Sequence, residues 1–264
     1  MLPNMKFYVV SIVAIFTALG LGIYIGFSMD TEGFITDQQE ELVNIVESEF
    51  ESIIKENIEL VAVNDSLLNA NDDVNRYIDE SYKLLVPEKL AGLNIGLIES
   101  NKDYVSSIGH DLEKAGANIV NLSNLSGLDK KEDIDRIVNV ISKGQGLESV
   151  QDLVDGGLLE TLGNYNIKAD YIVLCGGSRS EKSSRVSLVD KKVIEVCNNL
   201  QMPIIGLEKS YVKNSYINKY KEYGIATVDN IDMKMGKIAT VLALNSARGN
   251  YGIKGSAESI LPVK

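Results

Sequence analysis

The chain has 264 residues, a formal net charge of −11 and a pI near 4.7. An acidic protein of this kind disfavours nucleic acid and anionic lipid as partners. Two cysteines, one histidine and no tryptophan do not make a disulfide scaffold and leave little for a metal centre or for histidine catalysis, so no enzyme is expected.

Residues 7–27, FYVVSIVAIFTALGLGIYIGF, carry no charge. A helix rising about 1.5 Å per residue needs about 20 apolar residues to cross a bilayer. The run therefore predicts one transmembrane helix. Lys6 precedes it, and Asp30 and Glu32 follow it. Positive charge stays in the cytoplasm, which puts residues 1–6 inside and the remainder outside, as a single-pass protein of the cell membrane. The alternative is a cleaved signal peptide, whose apolar core is about 7–15 residues long and ends in small residues. This run is longer, and Leu21-Gly22-Ile23-Tyr24 is a poor cleavage context. Ala14, Ala18, Gly22 and Gly26 recur every four positions, giving a small-residue face on which two spans can pair closely. Ser11 and Thr17 can bond back to their own helix, and no Asp, Glu, His, Lys or Arg in the span offers an ion a ligand.

Residues 28–86 form the predicted stalk. From position 36 it is almost free of Gly and Pro, and a heptad fits residues 39–85. The d positions are Gln39, Val46, Ile53, Leu60, Leu67, Val74 and Ser81; the a positions are Val43, Phe50, Asn57, Asn64, Asn71, Ile78 and Leu85. A buried Asn at a satisfies its amide across a parallel two-stranded seam and fixes register. Asn57, Asn64 and Asn71 stand at three successive a positions, alternating with Leu60 and Leu67 at d. The pattern suits a parallel homodimer, or an amphipathic helix lying on its own globular domain; the Asn register favours the dimer. Pro87 cannot continue the helix, and residues 87–264 form the predicted extracytoplasmic domain.

In that domain, short apolar runs at residues 93–98, 118–122, 171–174, 204–207 and 225–228 alternate with helical stretches. These are residues 104–115, 131–142, 146–165, 188–200, 215–223 and 233–247. Such alternation predicts a three-layer α/β domain, flavodoxin-like or Rossmann-like, with a mainly parallel sheet in the order 2-1-3-4-5. Ligands of such sheets bind beyond the carboxyl ends of the strands. The loop Gly176-Gly177-Ser178 is the pocket candidate there, because its backbone could donate to an anion; a tight turn explains the same glycines. No GxGxxG or GxxxxGK[ST] fingerprint is present. Glu99, Asp103 and Glu208 are isolated acids at strand ends, and no spacing marks a catalytic pair. His110, beside Asp111 and Lys114, reads as a solvated surface residue. No cofactor is expected. Copper(I) would want clustered Cys, Met or His; the metal candidates are Cys175 and Cys197, with Met202, Met233 and Met235 scattered, and a buried Cys is usually only a small core residue.

The anchor FYVVSIVAIFTALGLGIYIG, the stalk and the α/β domain together resemble the mycobacterial MctB-like copper transporter family. The carboxyl end adds to the resemblance: Ala226-Thr227-Val228-Asp229-Asn230-Ile231-Asp232, then Gly236, Val241-Leu242-Ala243-Leu244, Tyr251-Gly252-Ile253-Lys254 and Leu261-Pro262. The resemblance covers essentially the whole chain and rests on structural motifs. It implies a role in copper efflux or homeostasis. The family also includes SteB-like cell-envelope proteins, which implies a cell-envelope protein partner in division. Asp229, Asn230 and Asp232 read as shaping the turn into the last helix, with Asp232 as its N-cap.

Overall fold

The structure is a computed structural model that describes residues 5–101, 108–246 and 249–262, with the side chains of residues 30–38 and 246 outside that description. Asp30, Glu32 and Asp103 therefore lie outside it. The chain divides into two compact units, Met1–Asp72 and Asp73–Lys264.

The first unit is helical. Helix α1 runs Met5–Leu85, and its segment Met5–Met29 is long and apolar enough to cross a membrane, with a mean hydropathy of 2.3 and none of it buried. Thr17 Oγ1 donates to the Val13 carbonyl at 2.8 Å, so its hydroxyl is satisfied without water. Further along, Val43, Val46, Phe50, Ile53, Leu60 and Leu67 are all about half exposed or more.

The second unit begins with the last turns of α1. There Tyr82 and Leu85 pack against an apolar cluster that includes Val86 and Leu90. Tyr82 Oη donates to Asp111 Oδ1 at 2.7 Å, and Lys237 Nζ lies 2.8 Å from Asp111 Oδ2. Lys234 pairs with Asp79. Burial, the Asp111 hydrogen bond and the nearby Asp111 charge push the Tyr82 phenol well above its ordinary range. The helix ends at Leu85, ahead of Pro87. The last a residue of the heptad, Leu85, thus serves the core of its own domain.

The sheet has seven strands: β1 Asn94–Glu99, β2 Asn118–Asn124, β3 Glu160–Gly163, β4 Tyr171–Cys175, β5 Ile204–Leu207, β6 Ala226–Val228 and β7 Asn250–Tyr251. Their order is β3-β2-β1-β4-β5-β6-β7. The five expected strands are parallel and lie in the expected order; one strand is added at each edge, and β3 pairs antiparallel with β2. Helices α3 (Lys131–Lys143), α5 (Lys191–Asn199) and α6 (Ile217–Glu222) feed one apolar cluster. Helices α2 (Ile108–Lys114) and α7 (Lys234–Ser246) feed a second. The strands alternate between the two, Ile172 and Leu174 facing one and Val173 and Cys175 the other, as a period of two requires.

One expected element is corrected. Residues 146–165 are not a single helix. A 3-10 turn (Glu148–Val150) and the one-turn helix α4 (Gln151–Asp155) precede the edge strand β3. Gly156 and Gly157 break the helix: Gly157 has φ +66°, where a side chain is strained.

Candidate functional site

The order of the parallel strands reverses between β1 and β4, the usual crevice for a ligand in an open α/β sheet. The structure brings Ser100 and Asn101, which follow β1, against the glycine loop that follows β4. Ser100 N–H donates to the Cys175 carbonyl at 3.2 Å, and Asn101 Nδ2 donates to the Gly177 carbonyl at 2.7 Å. Gly177 has φ +87°, so the turn itself needs glycine. A Cβ on Gly176 would lie 1.7 Å from Tyr220 Oη. The Gly176 amide donates to the Leu207 carbonyl and the Ser178 amide to the Asn214 carbonyl. Two of the three amides offered to an anion are therefore already committed.

Among the described residues, one side chain ties together the loops that border the crevice. Arg185, unmarked by any sequence pattern, donates to the carbonyls of Ser100 (2.5 Å), Leu125 (2.6 Å) and Leu128 (3.1 Å), and pairs with Asp129 at 3.1 Å. Beneath it, Asp190 is fully buried and accepts the Tyr220 hydroxyl at 2.5 Å. Burial pushes this carboxyl up to about 7, although Tyr220, Ser100 and Arg185 all act to lower it.

That shift has a defined sign. The folded state holds the Asp190 proton more tightly than the unfolded chain, whose carboxyl titrates near 3.8. The stability it contributes is complete below that value and is lost as pH rises through about 7. Denaturant titrations across this window are expected to show stability falling with pH, with the slope flattened in Asp190→Asn. An unchanged slope in the variant would assign it to other groups.

A second buried polar network lies beyond β5 and β6. Glu208 is fully buried. Its carboxylate accepts Ser215 Oγ at 2.7 Å, the Tyr216 amide at 2.6 Å and the Lys254 ammonium. Asp229, also fully buried, accepts the amides of Ile253 (2.8 Å) and Lys254 (3.0 Å). Asp232 accepts the Ser210 amide and hydroxyl, each at 2.6 Å. The N-cap role expected for Asp232 is corrected: α7 starts at Lys234, and the Asp232 carboxylate is spent on the Ser210 loop. The Asn230 side chain is buried with no hydrogen-bond partner among the described residues, and nothing in the structure explains it.

The two cysteines are not brought together. Both are buried, and among the described residues no disulfide joins them. Cys175 belongs to the cluster with α2 and α7, Cys197 to the cluster with α3 and α5, on opposite faces of the sheet. Burial raises the Cys197 thiol to about 12, which disfavours the thiolate that binds metal. Among the described residues, no group of three His, Cys, Asp or Glu is placed to hold an ion. These residues do not fit a soft copper centre. His110 is exposed, its side chain 3.8 Å from Glu113. A cavity of about 640 Å³ lies at the opposite, amino end of the strands, lined by Tyr171, Met202, Pro203, Ile225 and Asn250 among others.

On α1, Ala14, Ala18, Gly22 and Gly26 are exposed, and a Cβ on Gly22 or Gly26 would meet nothing within 4 Å. Asn57, Asn64 and Asn71 are exposed, as are Leu60 (62 %) and Leu67 (63 %).

A protein-family model described as "Copper transport outer membrane protein, MctB" matches residues 2–146 and 139–262. No curated protein matches the chain.

Proposed function

Since the chain belongs to the MctB family, we propose that it is a non-enzymatic, membrane-anchored envelope protein, a parallel homodimer whose α/β domain is an interaction module outside the cell. The observation that carries this reading is the exposed face of α1. Large apolar residues recur there at a and d with Asn57, Asn64 and Asn71 set among them. Left in water, each costs about 1.5–3 kcal/mol relative to burial. A second copy in register covers them and pairs the amides. The small-residue face of the anchor fits the same parallel arrangement. Arg185 ties the described loops at the switch point to one another, which favours a partner-binding role over small-molecule chemistry.

Sedimentation equilibrium of the full chain in detergent tests the dimer. Two chains per particle are expected, and one chain for Asn57→Lys/Asn64→Lys/Asn71→Lys, where like charges meet across the seam. A wild-type monomer at high concentration sinks the proposal.

The family description favours a second reading, copper handling. As cargo, copper(I) would want clustered soft ligands, and Cys175 and Cys197 stand apart. Copper(I) titration of the same preparation separates the readings. Tight binding lost in Cys175→Ser or Cys197→Ser supports copper handling; unchanged copper tolerance in a strain lacking the protein argues against it.

A further inference from the structure

We infer that the stalk segment of α1 carries a second docking face, for a basic amphipathic helix of another protein. The inference rests on the dimer proposed above. A two-stranded seam uses positions a and d, and the neighbouring e positions are usually charged. Here three successive e positions are Ile54, Val61 and Leu68, with Ile58 one step further round at b. All four are exposed, by 57, 53, 55 and 65 % respectively. In this stretch a carries Asn57 and Asn64, and the apolar residues at d and e together form a face wider than a strict two-stranded seam needs. Pairing through a and d leaves this stripe uncovered on each helix of the dimer.

Charge decides what covers it. Glu47 and Glu51 border the stripe at one end, Asp65 and Asp72 at the other, and Lys55 is the one basic residue between positions 40 and 73. A third copy of this chain would set the same acids against these. A helix with Leu or Val on one face and Lys or Arg beside it would bury the stripe and neutralise its border. The long stems of those basic residues would cover more of the apolar surface.

The test uses the full chain in zwitterionic nanodiscs and a fluorescent three-heptad peptide with a Leu seam flanked by Lys. Empty discs are subtracted, and the same peptide with Glu for Lys is the control. The Lys peptide is expected to bind saturably. Binding should weaken about tenfold or more for Ile54→Gln/Val61→Gln/Leu68→Gln, and should weaken when salt shortens the Debye length to about 3 Å. The Glu peptide should not bind. Wild type and variant should both contain two chains per particle. Equal binding of the Lys peptide by the variant overturns the inference, because charge alone would then explain it. So does binding of the Glu peptide. A wild-type particle of more than two chains, or a variant that falls to one, also overturns it, since the stripe would then belong to self-association. A wild-type monomer that still shows stripe-dependent binding removes the dimer and leaves the docking face standing.

Discussion

Lys254→Ala is expected to lower the unfolding free energy by about 3 kcal/mol, at the low end of the 3–5 kcal/mol typical of breaking a buried ion pair. Lys254 is the cation paired with the fully buried Glu208 carboxylate. Removing it leaves that charge in low dielectric. Two neutral donors remain, Ser215 Oγ and the Tyr216 amide, and they hold the loss to the lower figure. The melting temperature should fall by about 6–12 °C for a unit of this size, read by near-ultraviolet circular dichroism. Adding Glu208→Gln to the variant should recover part of the loss, because the carboxamide carries no charge to strand. A double variant as unstable as the sum of the singles would show that the pair is not coupled.

The second large effect is expected at Gly236. A Cβ there would lie 2.0 Å from the Asn230 carbonyl oxygen and 2.4 Å from its carbon. Both are backbone atoms, so no rotamer change relieves the clash. The first turn of α7 must move off the corner at residues 229–231, where Asp229 grips the amides of Ile253 and Lys254. Overpacking costs about 1–3 kcal/mol where side chains can yield. With backbone opposed, Gly236→Ala should cost about 3 kcal/mol or more. Gly255→Ala, whose Cβ meets nothing within 4 Å, should leave stability unchanged. Denaturant midpoints of the two variants compare them directly, and equal midpoints would contradict this packing.

Both effects rest on residues the sequence displays without explaining. Gly236, Lys254 and Asp229 belong to the carboxyl-terminal motifs that carry the family resemblance. Spacing alone could not show that Lys254 meets Glu208, 46 positions away. The parallel strands were legible because each is a short apolar run closed by a helical stretch. β7 was not: two residues, Asn250–Tyr251, are too short to show alternation. The edge strand β3 was hidden because it is mostly exposed, Leu162 at 72 %. It has no buried face to write a pattern, although the Gly156-Gly157 pair was a signal that a helix could not pass. The glycine loop after β4 was legible as a turn. Its crowding by Tyr220, and the bridge made by Arg185, depend on distant segments.

The end of α1 has a mechanical consequence. A chain leaving a helix at Pro87 could swivel, and a head on such a swivel would not register a twist applied below it. Here the Tyr82–Asp111–Lys237 cluster and the Lys234–Asp79 pair bolt the final turns to α2 and α7. Torque arriving at Asp79 is therefore delivered to one side of the sheet instead of being dissipated in a hinge.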